Sequence, residues 1–139
     1  MSPRTPEPIR GDIRNWTILL VDDTPDNLTV AQAALGYFGV KVHTAENGEE
    51  ALRLARQLKP TLILLDIKMP KVNGWEVLSA IRQDETLANT VVIAITAYAM
   101  DDDRERALAA GFDGYISKPF NLFTFVAEVE RIALQCMSH

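Results

Sequence analysis

Five short apolar runs, each cut off by a polar or acidic residue, set the pattern of this chain: Trp16 to Val21, Val40 to Thr44, Thr61 to Leu65, Val91 to Ile95 and Gly114 to Ser117. Runs of this length and continuity predict strands buried on both faces, as in a parallel sheet. The segments between them are long enough for a helix, and there the period changes. Leu28, Ala31 and Leu35 recur at helical spacing in the first, Ala51, Leu54, Ala55 and Leu58 in the second, and Val77, Leu78 and Ile81 in the third. Each stripe would lie on the sheet. Strand alternating with helix five times predicts right-handed crossovers and an α/β domain with a parallel sheet of five strands and five helices.

The helix ends carry local signals. Thr24 before Pro25 suits an N-cap with proline at the first helical position, Asn47 with Glu50 resembles a capping box, and Gly39 and Gly111 are expected helix stops. The fourth helix, about Asp101 to Ala110, offers only Ala107, Leu108 and Ala110 for burial, with Met100 just ahead of it. Little would hold it in place, so it is the candidate moving part. The final helix, from Asn121, presents Leu122, Phe125, Val126, Val129, Ile132 and Ala133 and should be well anchored. Residues Met1 to about Asn15 carry Pro3, Pro6, Pro8 and charge without periodicity; they are expected to form a disordered arm ahead of a folded unit spanning 16–137.

A chain of 139 residues is sized for one domain, since about 150 residues bury about 70% of their unfolded surface in one core. With 47% hydrophobic and 24% charged residues the composition is that of a globular protein. The net charge of −5, without a basic cluster, argues against direct DNA binding. The lone Cys136 excludes an intramolecular disulfide and fits a reducing compartment. No secretory signal or membrane-spanning run is present, so a cytoplasmic location is expected, with no membrane partner.

The chemistry lies where the runs stop. Asp22 and Asp23 follow the first, Asp66 the third, Thr96 the fourth and Lys118 the fifth. In open α/β sheets ligands bind beyond the carboxyl ends of the strands, so these side chains would converge. Three carboxylates suit a hard divalent cation such as Mg²⁺, which takes oxygen ligands. Lys118 adds a fixed positive charge that could pair with Asp66 or a phosphoryl oxygen, and Thr96 adds a hydroxyl donor. An aspartate can accept a phosphoryl group, a reaction that needs mainly positioning and charge stabilisation. Asp66, at the end of the most continuous apolar run, is the expected nucleophile.

Taken singly, each residue has a plainer explanation. Asp22 and Asp23 could serve the helix dipole, Asp66 a turn, Thr96 a loop and Lys118 the solvent. Only their joint placement on one sheet edge favours a site. Asp101 to Asp103 read as helix-start acids, His43 as a packed or half-exposed strand residue, and Trp16 and Trp75 as packing residues.

From Trp16 to Met137 the chain resembles the receiver domain of two-component response regulators. The resemblance rests on Leu20-Val21-Asp22-Asp23, on Asp66 followed by Met69-Pro70 and Asn73-Gly74, on Thr96-Ala97, and on Tyr115-Ile116-Ser117-Lys118-Pro119-Phe120. It implies the flavodoxin-like strand order 2-1-3-4-5. It also implies Asp66 as phosphoacceptor, and Mg²⁺ (or Mn²⁺ in its place) held by Asp22, Asp23, Asp66 and the main-chain carbonyl of Lys68. Thr96 and Lys118 would bind the phosphoryl oxygens, Tyr115 would turn inward on activation, and the Lys118-Pro119 bond would be cis. Lys68 and Tyr98, placed to crowd an attacking water, would slow loss of the phosphoryl group.

The resemblance further implies a histidine kinase or histidine phosphotransfer protein as donor, and a downstream protein target. Donor specificity would lie on the first helix near Pro25 to Leu28. A homodimer through the face of the fourth helix, fifth strand and fifth helix is a candidate assembly. The expected role is a signalling module rather than an enzyme, and the span from Met1 to His139 suggests a free-standing one. Two other readings compete. A receiver-like scaffold would bind partners without phosphorylation, but every chemical residue is present. A phosphohydrolase with an aspartyl nucleophile would place its acids as Asp-x-Asp after the first strand, where here they are adjacent, and would carry a cap insertion that this chain lacks.

Overall fold

The apolar runs pair with one another because each strand, buried on both faces, can satisfy its backbone only through neighbouring strands. The computed structural model describes residues 16–67, 74–96, 101–117 and 122–137. The expected arm, 1–15, lies outside the described residues. The strands are β1 (Thr17–Val21), β2 (Lys41–Ala45), β3 (Leu62–Asp66), β4 (Val91–Thr96) and β5 (Gly114–Ser117); the helices are α1 (Pro25–Tyr37), α2 (Gly48–Leu58), α3 (Gly74–Gln83), α4 (Asp101–Ala110) and α5 (Leu122–Met137). All strand pairs are parallel, as the alternation predicts, and the order is β2-β1-β3-β4-β5, the doubly wound arrangement that the family resemblance implies.

Side chains alternate across the sheet. Ile18 and Leu20 face the core shared with α1 and α5, which includes Leu35 and Val129. Leu19 and Val21 face the core shared with α2, α3 and α4, which includes Ala55 and Leu78. β3 is buried along its whole length, and each leucine or isoleucine so buried contributes about 1.5–3 kcal/mol. Asp66 therefore stands at the end of a strand held on both faces, as Thr96 does at the end of the equally buried β4.

Strand limits shift by a residue from expectation, for identifiable reasons. Val40 closes α1 instead of opening β2, because its N–H donates to the Leu35 carbonyl at 3.4 Å. Thr61 lies just ahead of β3, where its N–H donates to the Thr17 carbonyl at 2.8 Å and its Oγ1 accepts the Thr17 N–H at 3.2 Å. Asp66 and Thr96 are themselves strand residues, paired with Ile95 and Ser117.

Helix ends follow their signals with two corrections. Asn47 Oδ1 accepts the Glu50 N–H at 2.9 Å, and Glu50 Oε1 accepts from the Glu46 N–H at 3.0 Å, one residue earlier than a capping box requires. Thr24 occupies the N-cap of α1, but its side chain makes no capping bond. Gly39 (φ 82°) and Gly111 (φ 116°) are left-handed stops, as expected; Lys59 (φ 47°), with no glycine to announce it, is a third. In α4 only Ala107 among the described side chains is buried, and Leu108 is 44% exposed, so its hold on the sheet is even smaller than its sequence suggests. His43 is exposed on edge strand β2, opposite Leu19. Among the described residues no helix is long and apolar enough to cross a membrane.

Candidate functional site

The order β2-β1-β3 puts the switch in winding direction between β1 and β3, and the crevice beyond their carboxyl ends is where ligands bind in such sheets. Asp22 follows β1, and its N–H donates to the Ala45 carbonyl at 3.1 Å, extending the β1–β2 ladder past the strand. Its Oδ1 accepts the Thr24 N–H at 2.9 Å, which turns the chain into α1. Asp22 is buried and Asp23 is exposed. Asp66 ends β3, only 3% exposed, and the next N–H, of Ile67, donates to the Ile95 carbonyl at 3.1 Å.

One carboxylate oxygen from each of Asp22, Asp23 and Asp66 lies within 4.8 Å of the others. At that separation and an effective dielectric constant of about 20, each like-charged pair repels by on the order of 3 kcal/mol. An all-oxygen set, two buried carboxylates and one at the rim, is the donor chemistry of Mg²⁺, which binds through one or two carboxylates while keeping waters and phosphate oxygens. The three residues therefore fit that ion. The expected acidic triad is brought together.

Thr96 is fully buried at the end of β4, one residue beyond the partner of Asp66. Tyr115, in register with Ala94, is half-buried against the core beneath α3 and α4. Lys118 follows β5 directly but lies outside the described residues, as do Lys68, Tyr98 and the Lys118-Pro119 bond.

Gly74 is a positioning residue whose role the sequence did not show. Its N–H donates to the Ile67 carbonyl at 3.3 Å, and a Cβ there would fall 2.5 Å from Ile67 Cα and 2.7 Å from the Asp66 carbonyl oxygen. Only glycine lets α3 start against the end of β3. Trp75, the next residue, meets Phe112 edge-on at 5.7 Å and lies under the Arg106 guanidinium at 5.5 Å, so α3 touches α4 directly. Pairing of these aromatic and basic residues has no sequence signature, because 31 positions separate Trp75 from Arg106.

Comparison with known proteins agrees with this geometry. Residues 18–130 match the family model described as the response regulator receiver domain. The polar-differentiation response regulator DivK of Brucella anthropi is 37% identical over 114 residues, covering 82% of this chain and 93% of that protein. The chemotaxis protein CheY4 of Vibrio cholerae superposes with a TM-score of 0.80 at 28% identity, covering 84% of this chain and 98% of its own. The receiver domain of a sensor histidine kinase from Pseudomonas aeruginosa, solved with a magnesium ion coordinated in its active site cleft, gives 0.76 at 35% identity, covering 89% and 98%.

Proposed function

Because the chain belongs to the response regulator receiver domain family of two-component signalling, we propose that residues 16–137 act as a Mg²⁺-dependent phosphoacceptor switch. An Asp66 carboxylate oxygen attacks the phosphorus of a phosphohistidine on a histidine kinase or phosphotransfer protein. The new P–O bond forms as the P–N bond breaks, and the imidazole keeps the electron pair. Bound Mg²⁺ supplies charge neutralisation for the phosphoryl oxygens. Asp22, Asp23, Asp66 and the Lys68 carbonyl hold the ion; Thr96 and Lys118 receive phosphoryl oxygens.

The observation that carries this reading is the convergence of three carboxylate oxygens within 4.8 Å at the switch point of the sheet. The output is a change of binding surface rather than turnover. Tyr115 lies on β5, the strand that α4 contacts, and packs against the core that holds Ala107, the one buried described side chain of α4, so a small shift there can displace the helix. A downstream protein, or a second copy through α4, β5 and α5, reads that face in the cytoplasm. Lys68 and Tyr98 retard hydrolysis, and Lys68→Asn with Tyr98→Ala speeds it.

The test is intact-mass measurement after incubation with Mg²⁺ and acetyl phosphate. The native chain should gain one phosphoryl group, and the gain should vanish with EDTA or in Asp66→Asn. No gain from either acetyl phosphate or a phosphohistidine donor would leave the phosphorylation-independent scaffold as the better reading.

A further inference from the structure

The described surface carries an aromatic step that the phosphoacceptor site does not use. Tyr37 is 85% exposed and Phe38 46% exposed, and the two rings meet edge-on at 5.3 Å where α1 ends. α1 starts beside the acidic site, so its far end lies at the opposite edge of the sheet. The exposed face leading to the step, with Val30 and Ala33, is uncharged.

We propose that this step is the docking site for residues 9–13 of the same chain, with Ile9 and Ile13 covering Phe38 and Tyr37. The connection places the two together. Trp16, where the described chain begins, is buried in the core shared with α1, and its carbonyl accepts the Lys41 N–H at 3.3 Å. Lys41 is three residues after Phe38, and Ile13 is three before Trp16, so each span is at most about 11 Å. Apart from Met1, Ile9 and Ile13 are the only large apolar residues in that stretch.

Size selects the occupant. An aromatic side chain presents about 150–250 Å², so these exposures leave on the order of 250 Å², well short of the roughly 800 Å² per partner of a stable complex. A second copy would gain too little from it. A tethered segment sees the step at an effective concentration of about 1 mM, which makes a small contact sufficient.

Trypsin cleavage of the full chain tests this. Arg10 lies within the docked segment and Arg14 adjoins it, whereas Arg4 lies outside it and serves as an internal control. Both Tyr37→Ser/Phe38→Ser and Ile9→Ser/Ile13→Ser should speed cleavage after Arg10 and Arg14 about fivefold, with Arg4 unchanged, since cleavage follows the open population. Rates are normalised to free peptides of residues 1–16 with the same substitutions. Unchanged rates in the isoleucine variant, which leaves the described fold untouched, would overturn the proposal. So would a mass that doubles with concentration in sedimentation and reverts in Tyr37→Ser, because the occupant would then be a second copy.

Discussion

Arg82 and Asp113 form an ion pair in which Nη2 donates to Oδ2 at 2.9 Å, while that same oxygen accepts the Val92 N–H at 2.8 Å. Nη1 donates to the Ala88 and Thr90 carbonyls and Nη2 also to the Gly111 carbonyl, at 2.7–2.9 Å. One side chain thus ties the end of α3 to the loop before β4 and to the turn before β5, at the sheet edge opposite the acidic site. Removing it strands several part-buried acceptors, and hydrogen bonds to charged groups are worth about 1.5–3 kcal/mol. Arg82→Ala should therefore lose about 2–3 kcal/mol of stability, read as a lower urea midpoint at unchanged slope. Arg82→Lys should recover only part, because an ammonium cannot span the same fork of acceptors.

Two glycines should respond differently to alanine. At Gly114 an added Cβ would meet Ile132 Cγ2 at 2.5 Å, a side chain that can be trimmed. At Gly74 it would meet backbone atoms of Ile67 and Asp66, which cannot move without moving the Asp66 carboxylate in the acidic site. Overpacking costs about 1–3 kcal/mol. Gly114→Ala should be rescued in part by Ile132→Ala in a double-mutant cycle, giving a coupling above about 0.5 kcal/mol. Gly74→Ala should impair Mg²⁺ binding as well as stability, and measuring both separates it from a merely destabilised variant.

Asp22 has a local and a proposed chemical role that one substitution can part. In Asp22→Asn the amide oxygen can still accept the Thr24 N–H that the carboxylate accepts at 2.9 Å, so the entry into α1 survives. The charge facing Asp23 and Asp66 is lost. Even outer-shell changes cost metal sites about 10–100-fold in affinity, so loss of a direct carboxylate should cost at least tenfold. Mg²⁺ titration should show this weakening, and thermal unfolding with EDTA should show a stability equal to or above the native chain's, because two like-charged contacts are relieved.

The sequence made the parallel sheet and the acidic triad legible because those features are written in local periodicity and in the residue that ends each run, whereas the strand order came only with the family resemblance. Leu62 to Leu65 followed by Asp66 says both "buried strand" and "strand end" within five positions. What stayed hidden depends on partners far along the chain or on backbone geometry. Arg82 and Asp113 are 31 positions apart, and neither reads as paired. Lys59 takes a left-handed conformation, φ 47°, that its residue type disfavours, so the end of α2 had no glycine to mark it. Val40 belongs in apolar character to a strand, yet its N–H is taken by α1.

The Arg106–Trp75 contact should make α4 a measurable weak point. With Ala107 its one buried described side chain, the cation–π contact, worth about 0.5–1 kcal/mol at an exposed site, is a large share of what holds the helix. Native-state hydrogen exchange should find α4 amides opening more readily than those of α1. Arg106→Ala should accelerate α4 exchange about two- to fivefold and leave α1 unchanged; equal effects on both helices would show that the contact stabilises the fold as a whole.

Asp84 gives acid unfolding a local handle. Its Oδ1 accepts the Thr86 hydroxyl at 2.7 Å and the Thr86 N–H at 2.9 Å, and its Oδ2 accepts Arg56 Nε at 3.1 Å. These contacts, the Thr86 hydroxyl first, hold its carboxyl below the usual value of 3.8. A group whose folded pKa lies below its unfolded one stabilises the fold above the unfolded value and loses that contribution as pH falls through the folded one. The loss should therefore begin near pH 4 and continue below it, approximately where free aspartate titrates. Asp84→Asn keeps an acceptor for Thr86 but removes the titration. Between about pH 4 and 3 its urea midpoint should fall less than that of the native chain. The difference should shrink in high salt only to the extent that the exposed Arg56 pair contributes, since bonds to Thr86 are local and unscreened.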